Sequence, residues 1–173
     1  MQGFRAMVEQ CRNRIYNLAY YSLGTREEAE DVTQDVFLRL WEHWSEVTQA
    51  QAMPWLIRVT RNACIDRHRK RQTHRAMLAA PGAEDCPANP SPMGSDPQLS
   101  LERDDLRQAV ERALSLLDDP YRTIVILREI QSFSYADISE ALQMPLNTVK
   151  VYLHRGRQML RTELREDVIH GRI

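Results

Sequence analysis

Apolar positions recur at intervals of three and four residues through most of this chain, and no segment alternates strictly between apolar and polar residues. This spacing is typical of amphipathic helices, so the sequence predicts an all-α fold. The first helix is predicted over about residues 4–23, with Gly24 as its stop signal. A second helix begins at Thr25, which has the capping-box spacing to Glu28.

A third helix is predicted to start near Pro54, because proline is tolerated in the first turn of a helix. Residues 44–53 before it are predicted as a polar connection. Each of these helices has one apolar side, which predicts a shared core. The residues predicted to face that core are Met7, Cys11, Ile15, Leu18, Ala19, Ala29, Val32, Val36, Phe37, Leu40, Trp41, Trp55, Leu56, Val59 and Ala63.

A break in the pattern divides the chain in two. Residues 72–97 contain five of the eight prolines and two of the six glycines, with no sustained periodicity. The segment is too long for an ordinary loop within a compact domain. We therefore predict a flexible linker over residues 72–100, between a helical domain over residues 1–71 and a second one over residues 101–173.

The second domain is predicted to contain helices over residues 101–117 and 120–130, followed by two more that flank a short break. Ser134 and Asp137 form another capping-box sequence before a short helix, and residues 143–145 are the break. A longer helix starts at Asn147. The residues predicted to pack inward are Leu106, Val110, Ala113, Leu114, Leu117, Ile124, Val125, Leu127, Ile130, Ile138, Ala141, Leu142, Val149, Leu153, Met159 and Leu160.

Charge is segregated although the chain is nearly neutral, with 23 basic and 24 acidic side chains. The segments 54–75 and 120–173 are net basic, and the other two segments are net acidic. All basic residues except Lys70 and Lys150 are arginine, whose planar guanidinium suits phosphates and guanine edges. The run over residues 67–71 is basic on all sides of a helix, which favours contact with phosphates.

The short helix, break and longer helix of the second domain have the spacing of a helix-turn-helix. In that motif the second helix enters the major groove, so its outward side chains are DNA-reading candidates. Lys150, Val151, His154 and Arg155 are predicted to contact base edges, and Arg157 and Arg161 to contact phosphates.

Other classes of protein fit less well. No run of about 18 apolar residues exists, so we expect no membrane insertion, and three cysteines without a C-x-x-C pair favour a reducing cytoplasm. An alternative is a metal-dependent enzyme that uses Cys64, Asp66 and His68. Spacings of two place neighbouring members on different faces of a helix, so we expect no catalytic residues, no metal and no cofactor.

Several segments together resemble the extracytoplasmic-function (ECF) sigma factors of bacterial RNA polymerase, in the sigma-70 family. Region 2 of that family is similar to residues 30–41 (EDVTQDVFLRLW) and residues 55–63 (WLIRVTRNA), which are followed by Asp66. Region 4 is similar to residues 117–122 (LDDPYR), 127–129 (LRE) and 148–150 (TVK), and to Ser134, Tyr135 and Ile138. The resemblance covers nearly the whole chain outside the linker, with the motifs in the family's order.

The resemblance implies a transcription initiation factor with two helical domains. Its polymerase-binding residues would be Asp31, Gln34, Asp35 and Leu38, which would dock on the clamp helices of the largest subunit. Its promoter-reading residues would be Arg58, Arg61, Asn62, Arg69 and Lys70 for the −10 element, and Lys150, Val151, His154, Arg155 and Arg157 for the −35 element. Implied partners are core RNA polymerase, including the flap of its second-largest subunit, promoter DNA and an anti-sigma factor.

A second interpretation is a stand-alone helix-turn-helix regulator that binds an operator without polymerase. It gives no role to Asp31 or Gln34. The near-neutral total charge favours the sigma factor, because acidic segments beside basic ones weaken nonspecific attraction to DNA. We therefore expect poor promoter binding by the isolated protein.

Overall fold

The computed structural model describes residues 2–78 and 97–169, without the side chains of residues 2, 75, 78, 97–105 and 166–169. Every regular element within these ranges is helical, which confirms the all-α prediction. The helices are α1 (Gln2–Leu23), α2 (Arg26–Glu42), α3 (Gln49–Leu78), α4 (Pro97–Ser115), α5 (Tyr121–Val125), α6 (Tyr135–Leu142) and α7 (Leu146–Ile169). A π-helical turn, Ile126–Ile130, continues α5. None of the helices in the described ranges combines the length and hydropathy that crossing a bilayer requires.

Helices α1, α2 and α3 pack together as the first unit. Gly24 ends α1 as predicted: its φ of 77° lies in the left-handed region, and its amide donates to the Tyr20 carbonyl over 2.8 Å. All five α1 residues predicted to face the core are buried.

Two predictions for α2 are wrong in detail. The Thr25 hydroxyl caps no backbone amide and instead donates to a Glu28 carboxylate oxygen over 3.0 Å, so no capping box forms there. Trp41 is 50% exposed rather than part of the core. Thr33 is buried on the inner side instead, where its hydroxyl donates to the Ala29 carbonyl.

Helix α3 is longer than predicted at both ends. It begins at Gln49, and Pro54 lies inside it. Its fully buried side is formed by Ala52, Leu56, Ile57, Thr60 and Cys64, whereas Trp55, Val59 and Ala63 are only half-buried. Residues 72–78 and 97–100 of the predicted linker are helical, and residues 79–96 lie outside the described residues.

Helices α4 to α7 form the second unit, with α7 packed against α4, α5 and α6. Leu114, Leu117, Ile124, Ile138 and Leu153 are fully buried in it, as the periodicity predicts. The side chains of Leu106 and Met159 are wrongly predicted as core, because they are 53% and 39% exposed.

The two units are in direct contact. Helix α6 packs on α3, and α4 and α5 pack on α1. Leu18 and Ile57 of the first unit are buried in the same apolar cluster as Leu117, Ile124 and Phe133 of the second. The sequence predicted two modules and a linker, but it gave no indication of this contact.

Candidate nucleic-acid and protein interfaces

Helix α7 presents the predicted base-reading residues to solvent. Val149 and Leu153 are buried against the rest of the unit, and the outward side of the helix follows from their burial. The exposed side chains on that outward side are Lys150, Val151, His154 and Arg155. The structure therefore brings all four together on one accessible surface.

Helix α6, which precedes α7 in the predicted helix-turn-helix, begins with the capping box that the sequence predicted. The Ser134 hydroxyl accepts from the Asp137 amide over 3.1 Å, and the Ser134 amide donates to the Asp137 carboxylate over 3.0 Å. These bonds lower the pKa of the Asp137 carboxyl. Gln143 ends α6 in the left-handed region with φ of 53°, and the Ser139 hydroxyl donates to the Met144 carbonyl.

Gly156 sets the depth at which α7 packs on α5. A Cβ atom at this position would meet the buried Val125 Cγ2 at 2.8 Å and the Tyr121 Cβ at 3.6 Å. Because 2.8 Å is too close for two carbon atoms, only glycine allows the two helices to approach as they do. The close approach fixes where the exposed side of α7 lies relative to the unit.

Arg157, predicted to contact DNA, is held within its own unit. Its Nε and Nη2 donate to the Glu129 carboxylate over 3.0 and 2.7 Å. This bond raises the pKa of the Arg157 guanidinium. Contact with a phosphate would have to compete with Glu129.

On α3 the predicted promoter-reading residues divide between two environments. Arg58, Asn62 and Arg69 follow one another at helical spacings of four and seven, along one side of the helix. Asn62, Arg69 and Lys70 are exposed and Arg58 is half-buried. Arg61 lies about 60° around the helix from Arg58 and contacts the second unit.

Arg61 forms a two-pronged ion pair with Asp119, at the turn between α4 and α5. Its Nε donates to the two Asp119 carboxylate oxygens over 2.8 and 3.1 Å, and Nη2 contacts the same carboxylate. The two side chains are only 20% and 23% exposed. The Thr123 hydroxyl also donates to Asp119, over 2.6 Å.

The basic run over residues 67–71 is only partly available for phosphates. Arg67 lies 3.5 Å from an Asp31 carboxylate oxygen and 3.6 Å from one of Asp35. Arg71 donates from Nε to Glu28 over 3.1 Å and from Nη1 to the Leu23 carbonyl over 3.1 Å. His68 also contacts α1, at the Ser22 carbonyl. Three of the five residues in this run therefore contact α1 or α2.

His68 lies where the first unit meets Arg122 of the second. Its Nε2 is 2.8 Å from the Ser22 carbonyl oxygen and 2.6 Å from Arg122 Nη1. Burial lowers the pKa of the His68 imidazole and, less usually, that of the Arg122 guanidinium. Arg122 also donates to the Ser22, Leu117 and Ser115 carbonyls over 2.8 to 2.9 Å.

The alternative metal site is not supported. Burial raises the pKa of the Cys64 thiol to about 12, whereas Asp66 is exposed, so these two side chains have different surroundings. Cys64 and His68, four residues apart, lie on the same side of α3, and this differs from the expectation that the three would all diverge. Within the described residues, no group of three or more potential ligands is arranged to hold a metal ion.

The outward side of α2 carries an acidic and apolar surface. Asp31, Gln34 and Asp35 are exposed, as predicted. Leu38 is 57% exposed, and Trp41 adds an indole one turn further along. We call these five residues the α2 surface; two large exposed apolar groups among acids are typical of a surface that binds another protein.

Comparison with known proteins identifies the family. Residues 7–74 match the family Sigma-70 region 2, and residues 107–160 match Sigma-70, region 4. The ECF RNA polymerase sigma factor SigW of Bacillus subtilis is 31% identical over 168 residues, which cover 95% of this chain and 90% of that protein. The chain belongs to the ECF sigma factors.

One further relative belongs to the same family, and two solved structures have the same fold. SigE of Mycolicibacterium smegmatis, also an ECF sigma factor, is 32% identical over 167 residues, covering 95% of this chain and 62% of that protein. The Bartonella quintana sigma factor RpoE, solved with the anti-sigma factor NepR, shares the fold with a TM-score of 0.73 at 22% identity, over 96% of this chain and 99% of that one. CnrH, solved with the cytosolic domain of CnrY, shares the fold with a TM-score of 0.67 at 22% identity, over 96% of this chain and 90% of that one.

The chain is therefore a sigma factor for transcription initiation, with its first unit as region 2 and its second as region 4. Sequence reasoning on this sigma factor missed three residues at its surfaces. Trp41 was assigned to the core because periodicity shows which residues share a side, not how far the covered side extends. Asp119 and Arg122 were assigned only to the segment that resembles region 4, without a contact, because their partners in region 2 are distant in sequence.

Proposed function

We propose that this sigma factor binds core RNA polymerase through the α2 surface and reads two promoter elements with α3 and α7. The observation that supports this most directly is the α2 surface itself. Leu38 and Trp41 are 57% and 50% exposed beside Asp31, Gln34 and Asp35. Acidic residues repel DNA phosphates, so this surface suits a protein partner, and a stand-alone regulator would have no use for it.

We assign the partner of the α2 surface to the clamp helices of the largest polymerase subunit, and place region 4 on the flap of the second-largest. The proposal puts the protein in the bacterial cytoplasm, where polymerase and chromosome are. Arg58, Arg61, Asn62, Arg69 and Lys70 are assigned to the −10 element. The exposed side of α7 is assigned to the −35 element as duplex.

Energetics favour this division of labour. Opening about ten base-pair steps costs on the order of 1.4 kcal/mol each. A captured base returns roughly 1 to 3 kcal/mol through stacking and edge contacts. Capture of one or two bases by region 2 falls well short of that cost, so opening is shared with polymerase, which also supplies the catalysis.

An anti-sigma factor is part of the proposal. It is supported by the likeness of the whole fold to RpoE, which was solved in complex with the anti-sigma factor NepR. Such a partner would cover surfaces that polymerase or DNA otherwise contacts.

Run-off transcription with purified core polymerase over a promoter library tests the proposal. We expect specific transcripts from the wild type, and their loss in the double variant Gln34→Ala/Asp35→Ala. The matched control is Glu9→Ala/Gln10→Ala, which removes an exposed acid and amide from α1 and should transcribe normally.

Two results would contradict the proposal. One is wild-type transcription by the Gln34→Ala/Asp35→Ala variant. The other is tight, specific promoter binding by the isolated chain at physiological salt, since this would favour a stand-alone regulator.

A further inference from the structure

An apolar side chain lies in the middle of the cationic side of α7. Val151 is 47% exposed. Its exposed neighbours on the outward side of the helix are Lys150, His154 and Arg155. Val149, which points the other way, is 0% exposed and packs α7 on the rest of region 4. The packing of region 4 therefore leaves much of the Val151 side chain in water.

Helix stability does not account for a valine at this position. A β-branched side chain keeps essentially one χ1 rotamer in a helix, which lowers its helix propensity below those of alanine, leucine and lysine. Burial offsets this cost for Val149, whereas Val151 gains much less from packing. Because its rotamer is already fixed, Val151 would lose little side-chain entropy in a contact with another molecule.

The charges around Val151 favour a nucleic acid over a protein as its partner. From residue 145 to residue 161 the chain has four lysine and arginine side chains and no acid. Protein-binding surfaces are depleted in lysine and group large apolar side chains, as the α2 surface does with Leu38 and Trp41. Val151 is instead a small apolar group enclosed by cations, which suits a polyanion that carries an apolar group at a defined place.

Duplex DNA carries such a group in its major groove. Each base pair presents hydrogen-bond donors and acceptors there, and thymine adds its C5 methyl group. Lys150, His154 and Arg155 have polar atoms that suit phosphates or the hydrogen-bonding edges of bases. Val151 has no polar side-chain atom, so contact with a thymine methyl group is the base discrimination that its chemistry allows.

We propose that Val151 is a specificity-determining residue that reads the C5 methyl group of a thymine in the −35 element. This inference rests on the proposed function, because it assigns one base to one residue on the side of α7 that would face the duplex. Val151 and Arg155 are one helical turn apart, so their Cβ atoms are separated by about 5–6 Å. Successive bases of one strand are about 3.4 Å apart along the duplex. The thymine thus lies within about two base pairs of the base that Arg155 contacts, and arginine in the major groove pairs best with guanine.

Replacement of thymine by uracil in the promoter tests this contact without changing the protein. Uracil lacks the C5 methyl group but keeps the O4 acceptor and the pairing with adenine. The probe is a promoter that gives specific run-off transcripts, with each thymine of the −35 element replaced singly on either strand. We expect holoenzyme to bind about fourfold more weakly when one particular thymine is replaced, because one buried methyl group contributes about that factor.

The variant Val151→Ala connects the effect to the protein. We expect it to bind the thymine and uracil promoters equally. The matched control is Met159→Ala, which removes another exposed apolar side chain about two turns further along α7 and should keep the full difference. Both positions are exposed, and circular dichroism of the two variants checks that their helices are retained.

Two results would overturn the proposal. One is equal binding of every uracil-substituted promoter by the wild-type holoenzyme. The other is a uracil effect that persists in Val151→Ala, because the methyl group would then act through DNA shape or through another residue. Weaker transcription by that variant with an unchanged uracil effect is a case of the second result, and it would assign Val151 to a protein contact.

Failure of the proposed function is separately visible. A stand-alone regulator would bind duplexes selected from a random library without polymerase, and holoenzyme would give no promoter-specific transcripts. The uracil replacements and the Val151→Ala comparison would then be made with the isolated chain on those duplexes. They would decide the role of Val151 by the same two criteria.

Discussion

The two helices that we propose to read the promoter, α3 and α7, differ in how their charged side chains are used. On α7, Lys150, His154 and Arg155 are exposed, and the helix is fixed from behind by buried residues. On α3, Arg61 and Arg67 are engaged by carboxylates of Asp119, Asp31 and Asp35. Helix α7 presents an exposed charged surface. On α3, part of the positive charge is neutralised by acidic side chains of α2 and of region 4.

This difference shows that a basic run in a sequence is not the same as a basic surface. The segment 54–75 has the highest positive charge in the chain, yet much of that charge neutralises acids on α2 and in region 4. The less basic α7 has more of its charge available. Substitutions on and behind the two helices test this contrast, and those in the core behind α7 should have the largest effect.

Substitution of the buried residues that pack α7 on the rest of region 4 should have the largest effect on stability. Replacing the fully buried Leu153 by Ala leaves a cavity and should lower the free energy of unfolding by about 2–5 kcal/mol. Val151→Ala, two residues away and 47% exposed, should change it by less than about 0.5 kcal/mol. Urea unfolding followed by circular dichroism measures both, and equal effects would mean that α7 is oriented differently.

The next effect concerns DNA binding by α7. Arg155→Ala should weaken promoter-specific transcription complexes by about 1–3 kcal/mol, with the loss concentrated at one base position, if Arg155 contacts a base edge. Arg157→Ala should cost less, because Glu129 already holds that guanidinium. Binding of polymerase holoenzyme to a panel of single-base promoter variants measures the two. A larger loss from Arg157→Ala would reverse their assigned roles.

A smaller effect separates the two predicted helix caps. Ser134→Ala removes a formed capping box and should cost about 1 kcal/mol of stability. Thr25→Ala removes no cap bond and should cost clearly less. Thermal unfolding of the two variants makes the comparison. An equal loss would show that Thr25 caps α2 in solution.

The smallest expected effect is a pH dependence at His68. Because burial lowers its pKa in the folded protein, the unfolded chain binds the proton more readily. The stability associated with neutral His68 is therefore complete above about pH 6.5 and is lost as the pH falls toward the lowered pKa. The groups facing His68 are Arg122, Asp119 and the Ser22 carbonyl.

Urea unfolding between pH 8 and pH 5 measures this dependence. We expect His68→Gln to flatten the profile and the exposed His154→Gln to leave it unchanged. A wild-type free energy of unfolding that increases as the pH falls would contradict the assignment.

Local features of this fold were predictable because their causes are local. Gly24 ends α1 through its own backbone freedom, and Ser134 and Asp137 cap α6 across three residues. The inner side of α1 and the exposed side of α7 follow from helical periodicity.

The failures concern contacts that periodicity does not encode. Leu106 has core spacing but is 53% exposed, and Ile57 was not assigned to a core because the region 4 surface that covers it is distant in sequence. Arg61 was predicted from its family position, but nothing near it in the sequence indicates a pair with Asp119, 58 residues away.

Gly156 controls how closely α7 packs on α5, although glycine has no side chain. The missing side chain lets α7 settle against Val125, and any methyl group there would lift the helix by some tenths of an ångström. Hydrogen bonds to base edges are sensitive to shifts of that order, since they operate over about 2.7–3.2 Å. Under the proposed function, the reach of α7 into a major groove is thus adjusted from the back of the helix, at a buried residue.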